Sequence, residues 1–181
     1  TTFQCGQSGS EQPLYLQTSP EFHMKRLLAA GSGPIFQITK SFRNEAKGKI
    51  HNPEFTMLEW YRPGFDEQEL ILEVDALVQT LLNTPPAIKV SYQEVFIEFL
   101  GFDPLTIDLA TLKQEVLKYS NDDWLQNEDN IDHLLQWLFS MEIEPKLGVI
   151  EDVPYVVFDF PATQAALAKI NKYDDRVAHR F

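Results

Sequence analysis

The sequence has very little cysteine and no long apolar run. Cys5 is the only cysteine among 181 residues, so an intramolecular disulfide framework is excluded, and a single thiol suits a reducing compartment. No run of about 18 apolar residues occurs, and the first residues, TTFQCGQSGS, show no basic region followed by an apolar one. We therefore expect no membrane span and no signal peptide, and a cytoplasmic location.

Positive charge is also scarce. Lys and Arg number 15 against 27 Asp and Glu, which gives a formal net charge of −12. This charge opposes non-specific attraction to the phosphates of nucleic acids, and no basic groove is visible in the sequence. Hydrophobic residues make up 44% of the chain and aromatic residues 12%, a composition that is typical of a globular domain with a core rather than of a disordered chain.

The first half of the chain predicts a helix followed by a β-hairpin. Ser-Pro-Glu at 19–21 is typical of a helix start, and Gly31 and Gly33 end a predicted helix over about 20–30. PIFQITKSFRNE and EFTMLEWY read as strands, joined by the polar loop AKGKIHNP. Alternation places Ser41, Arg43 and Glu45 on one face of the first strand and groups, on the second strand, Phe55, Met57, Glu59 and Tyr61.

The second half is mainly helical. EQELILEVDALVQTLLN has amphipathic helical spacing, and three further helices are predicted near 91–100, 109–118 and 128–140. VPYVVFDFP then reads as a buried strand. The predicted fold class is α+β or mixed α/β, with antiparallel strands.

Arg43 is the first candidate for chemistry. On a strand, its guanidinium could form charge-assisted, bidentate hydrogen bonds to the phosphate of a nucleotide. The alternative is an ordinary surface ion pair with Glu45, which the spacing alone favours. Sequence context has to decide between the two.

Longer segments supply that context. TSPEFHMKRLL, SFRNE and HNPEFTMLEWY together resemble motif 2 and the amino-acid pocket of class II lysyl-tRNA synthetases. With VFDFPATQAALAKI, they are most similar to the elongation factor P lysyl ligase family, paralogues of those synthetases. The resemblance implies an α+β fold, a class II synthetase-like antiparallel sheet with flanking helices and a helical insertion, here incomplete. It assigns 1–62 to the motif 2 part of the catalytic domain, 63–150 to the insertion, and 151–181 to a return strand and the segment after it.

The resemblance implies an ATP site. Arg43 would bind the α-phosphate and act as the catalytic residue, Glu45 would contact adenine, and Phe55 would stack on it. The other positions that match ATP contacts are Asn44, His51 and Asn52. Without the motif, the alternatives are loop capping for Asn52, an exposed His51 and a core Phe55.

The resemblance also implies a pocket for a lysine-like substrate, whose two ammonium groups require carboxylates. The matching positions are Ser19, Pro20, Glu21, Glu59 and Tyr61. The alternatives are that Ser19 caps its helix, that Glu21 interacts with the helix dipole, and that Glu59 is a solvated strand acid.

The implied activity is that of an ATP-dependent ligase. It activates (R)-β-lysine or lysine as an adenylate with ATP and Mg²⁺, and transfers it to a lysine side chain of elongation factor P. The implied partners are the amino acid and this protein acceptor, with no tRNA and no membrane, and the implied assembly is a homodimer. A lysyl-tRNA synthetase catalytic domain and a non-catalytic, synthetase-like binding protein remain as alternatives.

Metal ligands are not predicted in this chain. His23, His133 and His179 show no metal-ligand spacing with one another, and Cys5 has no partner of the zinc-site type. The resemblance places the family's magnesium-binding acids after this segment. Because motifs 1 and 3 have no counterpart between Thr1 and Phe181, we expect the 181-residue chain alone to be weakly active or inactive.

Overall fold

A computed structural model describes residues 2–6, 9, 12–49, 51–149 and 152–181. The chain forms two compact units, Thr1–Phe65 and Asp66–Phe181. The three segments inferred from the resemblance are functional assignments, which this division does not test. In the described part of the chain, no helix combines the length and the apolar character that crossing a bilayer requires.

The first unit is built around one antiparallel hairpin. Its elements in chain order are β1 (Gln4–Cys5), β2 (Leu14–Tyr15), α1 (Glu21–Ala29), β3 (Ile35–Phe42) and β4 (Glu54–Tyr61). Strands β3 and β4 pair over their full lengths, with Ser41 opposite Phe55 and Ile35 opposite Tyr61. The predicted hairpin is therefore confirmed, although β3 ends at Phe42, so that Arg43 and Glu45 lie just beyond the strand.

Helix α1 starts differently from the prediction. Its N-cap residue is Pro20, and no side chain caps the helix. Ser19 therefore does not cap the helix, so the alternative role given above for this residue is wrong. The fixed φ of Pro20, observed at −81°, suits the turn into the helix without a side-chain hydrogen bond.

The second unit alternates helices with short strands. Its elements are α2 (Glu67–Leu82), β5 (Ile88–Ser91), α3 (Tyr92–Leu100), α4 (Leu109–Val116), α5 (Asp123–Asn127), α6 (Ile131–Leu138), β6 (Tyr155–Phe158), β7 (Phe160–Pro161) and β8 (Val177–Ala178). Short helical turns follow at Phe139–Ile143, Glu144–Lys146 and Ala162–Gln164. The predicted helices are thus confirmed within a few residues.

Capping explains why two of these helices begin where they do. Asp66 accepts a hydrogen bond from the Glu69 backbone, and the Glu69 side chain accepts one from the Asp66 backbone. Ser91 and Glu94 form the same reciprocal capping box at the start of α3. Each box satisfies backbone N–H groups that the first helical turn leaves without partners.

The sheets are small and of both kinds. The described strands form four two-stranded sheets, of which β5–β6 is parallel and the other three are antiparallel. The expectation of purely antiparallel strands is therefore wrong for β5–β6, which are separated by four helices and so can pair in parallel. The mixed helix and strand content fits the α+β class.

The core of the second unit lies between α3, α4, α6 and the turns that follow α6. The side chains of Tyr92, Phe96, Leu112, Leu134 and Leu138 are all fully buried there. The rings of Tyr92, Phe96, Phe139 and Phe160 pack in stacked, tilted and edge-to-face arrangements, with centroids 4.7 to 6.4 Å apart. Aromatic packing of this kind adds to the stabilisation from burial alone.

We predict that Leu134→Ala destabilises the second unit by about 2–5 kcal/mol, because it removes buried methyl groups and leaves a cavity. Leu81→Ala is the matched control, since 69% of the Leu81 side chain is exposed. Urea denaturation followed by circular dichroism measures both. An equal loss of stability in the two variants would contradict this placement of the core.

Candidate functional site

Arg43 lies at the loop end of the hairpin, one residue beyond β3. Its backbone N–H donates to the Pro53 carbonyl at 2.8 Å, so strand pairing continues up to this residue. The guanidinium Nε donates to the Thr18 carbonyl at 3.4 Å, and its carbon lies 5.3 Å from the centre of the Phe55 ring. Among the described residues, no ion pair joins Arg43 to Glu45, so the positive charge is available for an anion.

A cavity of about 230 Å³ opens beside this guanidinium. It is lined by Arg43, Glu45, Ala46, His51, Asn52 and Phe55. Five of the six residues that the resemblance assigns to ATP thus line this cavity. The sixth, Asn44, is not among the described residues that line it. The cavity is smaller than a typical ligand site of about 300–1,000 Å³, so it offers room for part of a nucleotide.

The inner face of the hairpin carries a second constellation, formed by Glu59 and Tyr61. The Tyr61 hydroxyl donates to Glu59 Oε1 at 2.5 Å. Burial raises the pKa of the Tyr61 hydroxyl, and the hydrogen bond to Glu59 and the negative charges of Glu59 and Glu21 raise it further. Tyr61 therefore stays protonated at neutral pH and holds the Glu59 carboxylate in one orientation.

Glu21 adds a second carboxylate to the same neighbourhood. Its Oε1 forms an ion pair with Lys25 Nζ at 2.5 Å, one helical turn along α1. The ammonium group of Lys25 shows that this carboxylate can bind an alkyl ammonium group. Pro20, which is buried, and Ser19, which is half-buried, precede it.

Gln17 positions the segment before α1, and sequence reasoning missed it. Its side-chain amide donates to Thr39 Oγ1 at 3.2 Å and to the Lys40 carbonyl at 2.8 Å. The backbone carbonyl of Gln17 accepts a hydrogen bond from the backbone N–H of Phe42 at 2.9 Å. These bonds hold residues 17–18 along the edge of β3 and so place the Thr18 carbonyl beside Arg43. A single glutamine in an irregular segment gives no pattern from which this role could be predicted.

Charge divides the site into two parts. The cavity at the loop end of the hairpin presents the Arg43 guanidinium, which suits a phosphate. The inner face of the hairpin, with the first turn of α1, presents Glu21 and Glu59, which suit ammonium groups. One polar molecule with an anionic and a cationic part, or two molecules of opposite charge, would match this arrangement.

Comparisons with known proteins identify the family of the chain. The family model described as tRNA synthetases class II (D, K and N) matches residues 1–181. A protein named elongation factor P–(R)-β-lysine ligase from Vibrio atlanticus (strain LGP32) is 57% identical over 170 residues, which cover 94% of this chain and 52% of that protein. Proteins of the same name from Pseudoalteromonas translucida (strain TAC 125) and from Vibrio cholerae serotype O1 are each 56% identical over 168 residues, or 93% of this chain and 51% of theirs.

The chain spans about half the length of these curated relatives. The match of the family model, however, extends over all 181 residues and includes the hairpin with Arg43. The chain therefore belongs to the family of class II tRNA synthetases that comprises the D, K and N enzymes.

Proposed function

We propose that this chain is the part of an ATP-dependent ligase that binds the adenylate and the amino acid. In this proposal, the full-length protein activates (R)-β-lysine, or lysine, and transfers it to a lysine side chain of elongation factor P. The names of the relatives at 54–57% identity support the substrate and the acceptor. The single observation that carries the proposal is the Arg43 guanidinium, which forms no ion pair with Glu45 among the described residues, beside a cavity lined by Phe55.

Arg43 would act on the phosphate during activation. The carboxylate of the amino acid attacks the α-phosphorus of ATP, the bond to the bridging oxygen breaks, and pyrophosphate leaves with its electron pair. Negative charge develops on the α-phosphate oxygens during this step, and a preorganised guanidinium stabilises it. Phe55 would stack on adenine, and Glu45, with Asn44, His51 and Asn52, would complete the nucleotide contacts.

The acidic half of the site would bind the amine groups. Glu59, fixed by Tyr61, and Glu21 present two carboxylates for the two ammonium groups of lysine or β-lysine. Ser19 and Pro20 would line the same pocket. Glu21 would exchange its contact with Lys25 for one with the substrate. In the second step, the acceptor amine attacks the carbonyl of the mixed anhydride and AMP leaves, so positioning is the main task of the protein.

Mg²⁺ would offset the charge of the ATP phosphates when bound. The described residues that line the cavity do not form a site for it, because Glu45 is the only carboxylate among them and is assigned to adenine. We also propose that β3–β4 belongs to a class II antiparallel sheet, that the protein acts in the cytoplasm as a homodimer, and that its acceptor is a protein rather than tRNA.

The decisive experiment is ATP–pyrophosphate exchange by the full-length gene product, with (R)-β-lysine and with α-lysine. We expect clear exchange with a preference for (R)-β-lysine. Arg43→Ala should lower this exchange by about 10²- to 10³-fold, the usual loss when one group that stabilises developing charge is removed. A preference for α-lysine would favour a lysyl-tRNA synthetase, and an absence of exchange with either would favour a non-catalytic binding protein.

The matched control for this substitution is Arg176→Ala. Arg176 forms a bidentate ion pair with Asp174 on the surface of the second unit and is not among the described residues that line the cavity. We expect its exchange rate to equal that of the unsubstituted protein. If both variants lost exchange activity equally, the loss would follow from removing a positive charge anywhere on the protein, and not from the position of Arg43.

The amino-acid pocket has its own test. We predict that Glu59→Gln raises the KM for the amino acid by about 10- to 100-fold, because a hydrogen bond to a charged group contributes about 1.5–3 kcal/mol. The KM for ATP should change little. Tyr61→Phe should act in the same direction more weakly, since it leaves the Glu59 carboxylate in place but free to rotate.

Glu54→Gln is the control for this test. Glu54 lies on β4 but on the opposite, exposed face, where it pairs with Lys40 at 3.2 Å. Its kinetic constants should match those of the unsubstituted protein. If Glu59→Gln changed the KM for ATP as much as the KM for the amino acid, Glu59 would lie outside the amino-acid pocket.

A further inference from the structure

Three side chains that are distant in sequence meet in the second unit. Glu67 is the first residue of α2, Asp159 lies between β6 and β7, and His179 follows β8. One ligand atom from each of them lies within 4.8 Å of the other two. None of these residues belongs to the site proposed above.

The closest pair in this cluster has a spacing that suits a shared metal ion. His179 Nδ1 lies 3.3 Å from Glu67 Oε2, although the two residues are 112 positions apart. Two ligands that bind one zinc ion at about 2.0–2.1 Å with tetrahedral angles are themselves about 3.3–3.4 Å apart. The wider spacings in the cluster, up to 4.8 Å, would need small rotations of side chains.

Two oxygen atoms of the cluster are buried without a partner. Glu67 Oε1 and Asp159 Oδ1 accept no hydrogen bond from the described residues. Only 5% of the Glu67 side chain is exposed, against 36% of the His179 side chain. A buried polar atom that lacks a partner is costly, so each of these oxygens calls for an explanation.

Charge adds to this cost. The two carboxylates carry two negative charges at close range, and the ion-pair partner of Glu67 in the cluster is a histidine, which is charged only when protonated. A divalent cation would balance the two charges and would give each carboxylate a cationic partner.

Other roles for these acids are filled by their neighbours. The cap of α2 is Asp66, which accepts from the Glu69 backbone at 2.9 Å, so Glu67 is not needed for capping. Asp159 adopts a left-handed backbone conformation with φ of 54°, which aspartate tolerates better than most residues do. An asparagine at this position would tolerate the same conformation, so the backbone alone does not require the negative charge.

We propose that Glu67, Asp159 and His179 form a binding site for a divalent transition-metal ion of the zinc class. One imidazole nitrogen and two carboxylate oxygens are ligands that zinc accepts, with water in the fourth position of a tetrahedron. The imidazole nitrogen disfavours Mg²⁺ and Ca²⁺, which prefer oxygen ligands only. The ion would tie the start of α2 to the β6–β7 connection and to the end of β8, and thereby stabilise the second unit.

The sequence predicted no metal ligands in this chain, because the histidines show no metal-ligand spacing with one another and the cysteine has no partner of the zinc-site type. The three ligands come from segments that only folding brings together, and no motif spans them. The site does not depend on the proposed ligase activity. Its test needs no ATP and no amino acid.

The test is Co²⁺ binding to the chelator-treated, full-length gene product in the absence of nucleotide. Co²⁺ substitutes for zinc and reports inner-sphere ligands through its visible d–d absorption. We expect one equivalent to bind, and we expect the affinity to fall at least tenfold in Asp159→Asn and in Glu67→Gln. Circular dichroism checks that both variants fold, and Asp159→Asn keeps both the side-chain shape and the permitted φ.

His133→Gln is the matched control. His133 Nδ1 lies 2.9 Å from Glu128 Oε2, but 59% of its side chain is exposed and this pair belongs to no three-residue cluster among the described residues. This variant should bind Co²⁺ like the unsubstituted protein. Zn²⁺ should also raise the thermal midpoint of the unsubstituted protein by mass action, but not that of Asp159→Asn.

Two results would overturn the proposal. One is the absence of a stoichiometric Co²⁺ spectrum in the unsubstituted protein. The other is Co²⁺ binding of equal affinity in Asp159→Asn, Glu67→Gln and the unsubstituted protein, which would place the ion elsewhere. Either result would leave the ATP–pyrophosphate exchange experiment unaffected, so the two proposals fail separately.

Discussion

The register of the β3–β4 hairpin is the constraint on which the proposed site depends. Ser41 pairs with Phe55, so Arg43 emerges beside the Phe55 ring and at the mouth of the cavity. Because side chains alternate along a strand, the same register places Phe55, Glu59 and Tyr61 on one face of β4. A slip of one residue would turn Glu59 and Tyr61 to the exposed face and separate both from α1.

Opposite charges a short distance apart give this face its chemical character. The guanidinium lies at the loop end of the hairpin, and the carboxylates lie further along β4 and on α1. Hydrogen bonds to neutral groups hold two of these side chains: a carbonyl holds Arg43, and a hydroxyl holds Glu59, whereas Glu21 forms an ion pair with Lys25. Neutral partners orient these groups without cancelling their charges, which remain available to a substrate.

Local patterns were sufficient to predict some parts of the structure from sequence. Alternation predicted the hairpin and the grouping of Phe55 with Glu59 and Tyr61, and amphipathic spacing predicted α2. The parallel pairing of β5 with β6 was not predictable, because the two strands lie far apart in sequence and no local pattern indicates that they pair. For the same reason, neither the role of Gln17 nor the cluster around Glu67 could be read from the sequence. At Pro20, backbone geometry replaced the expected serine cap, which shows that a favourable cap residue does not ensure a cap.

The acceptor that holds Arg43 is a main-chain carbonyl, and this has a consequence for how the site can vary in evolution. Every amino acid at position 18 supplies the same carbonyl, so drift in the side chain there leaves the anchor intact. What must be inherited is the path of the backbone, which Gln17 secures through its amide. Mutational robustness at position 18 is therefore linked to sensitivity at position 17, although neither side chain touches the cavity.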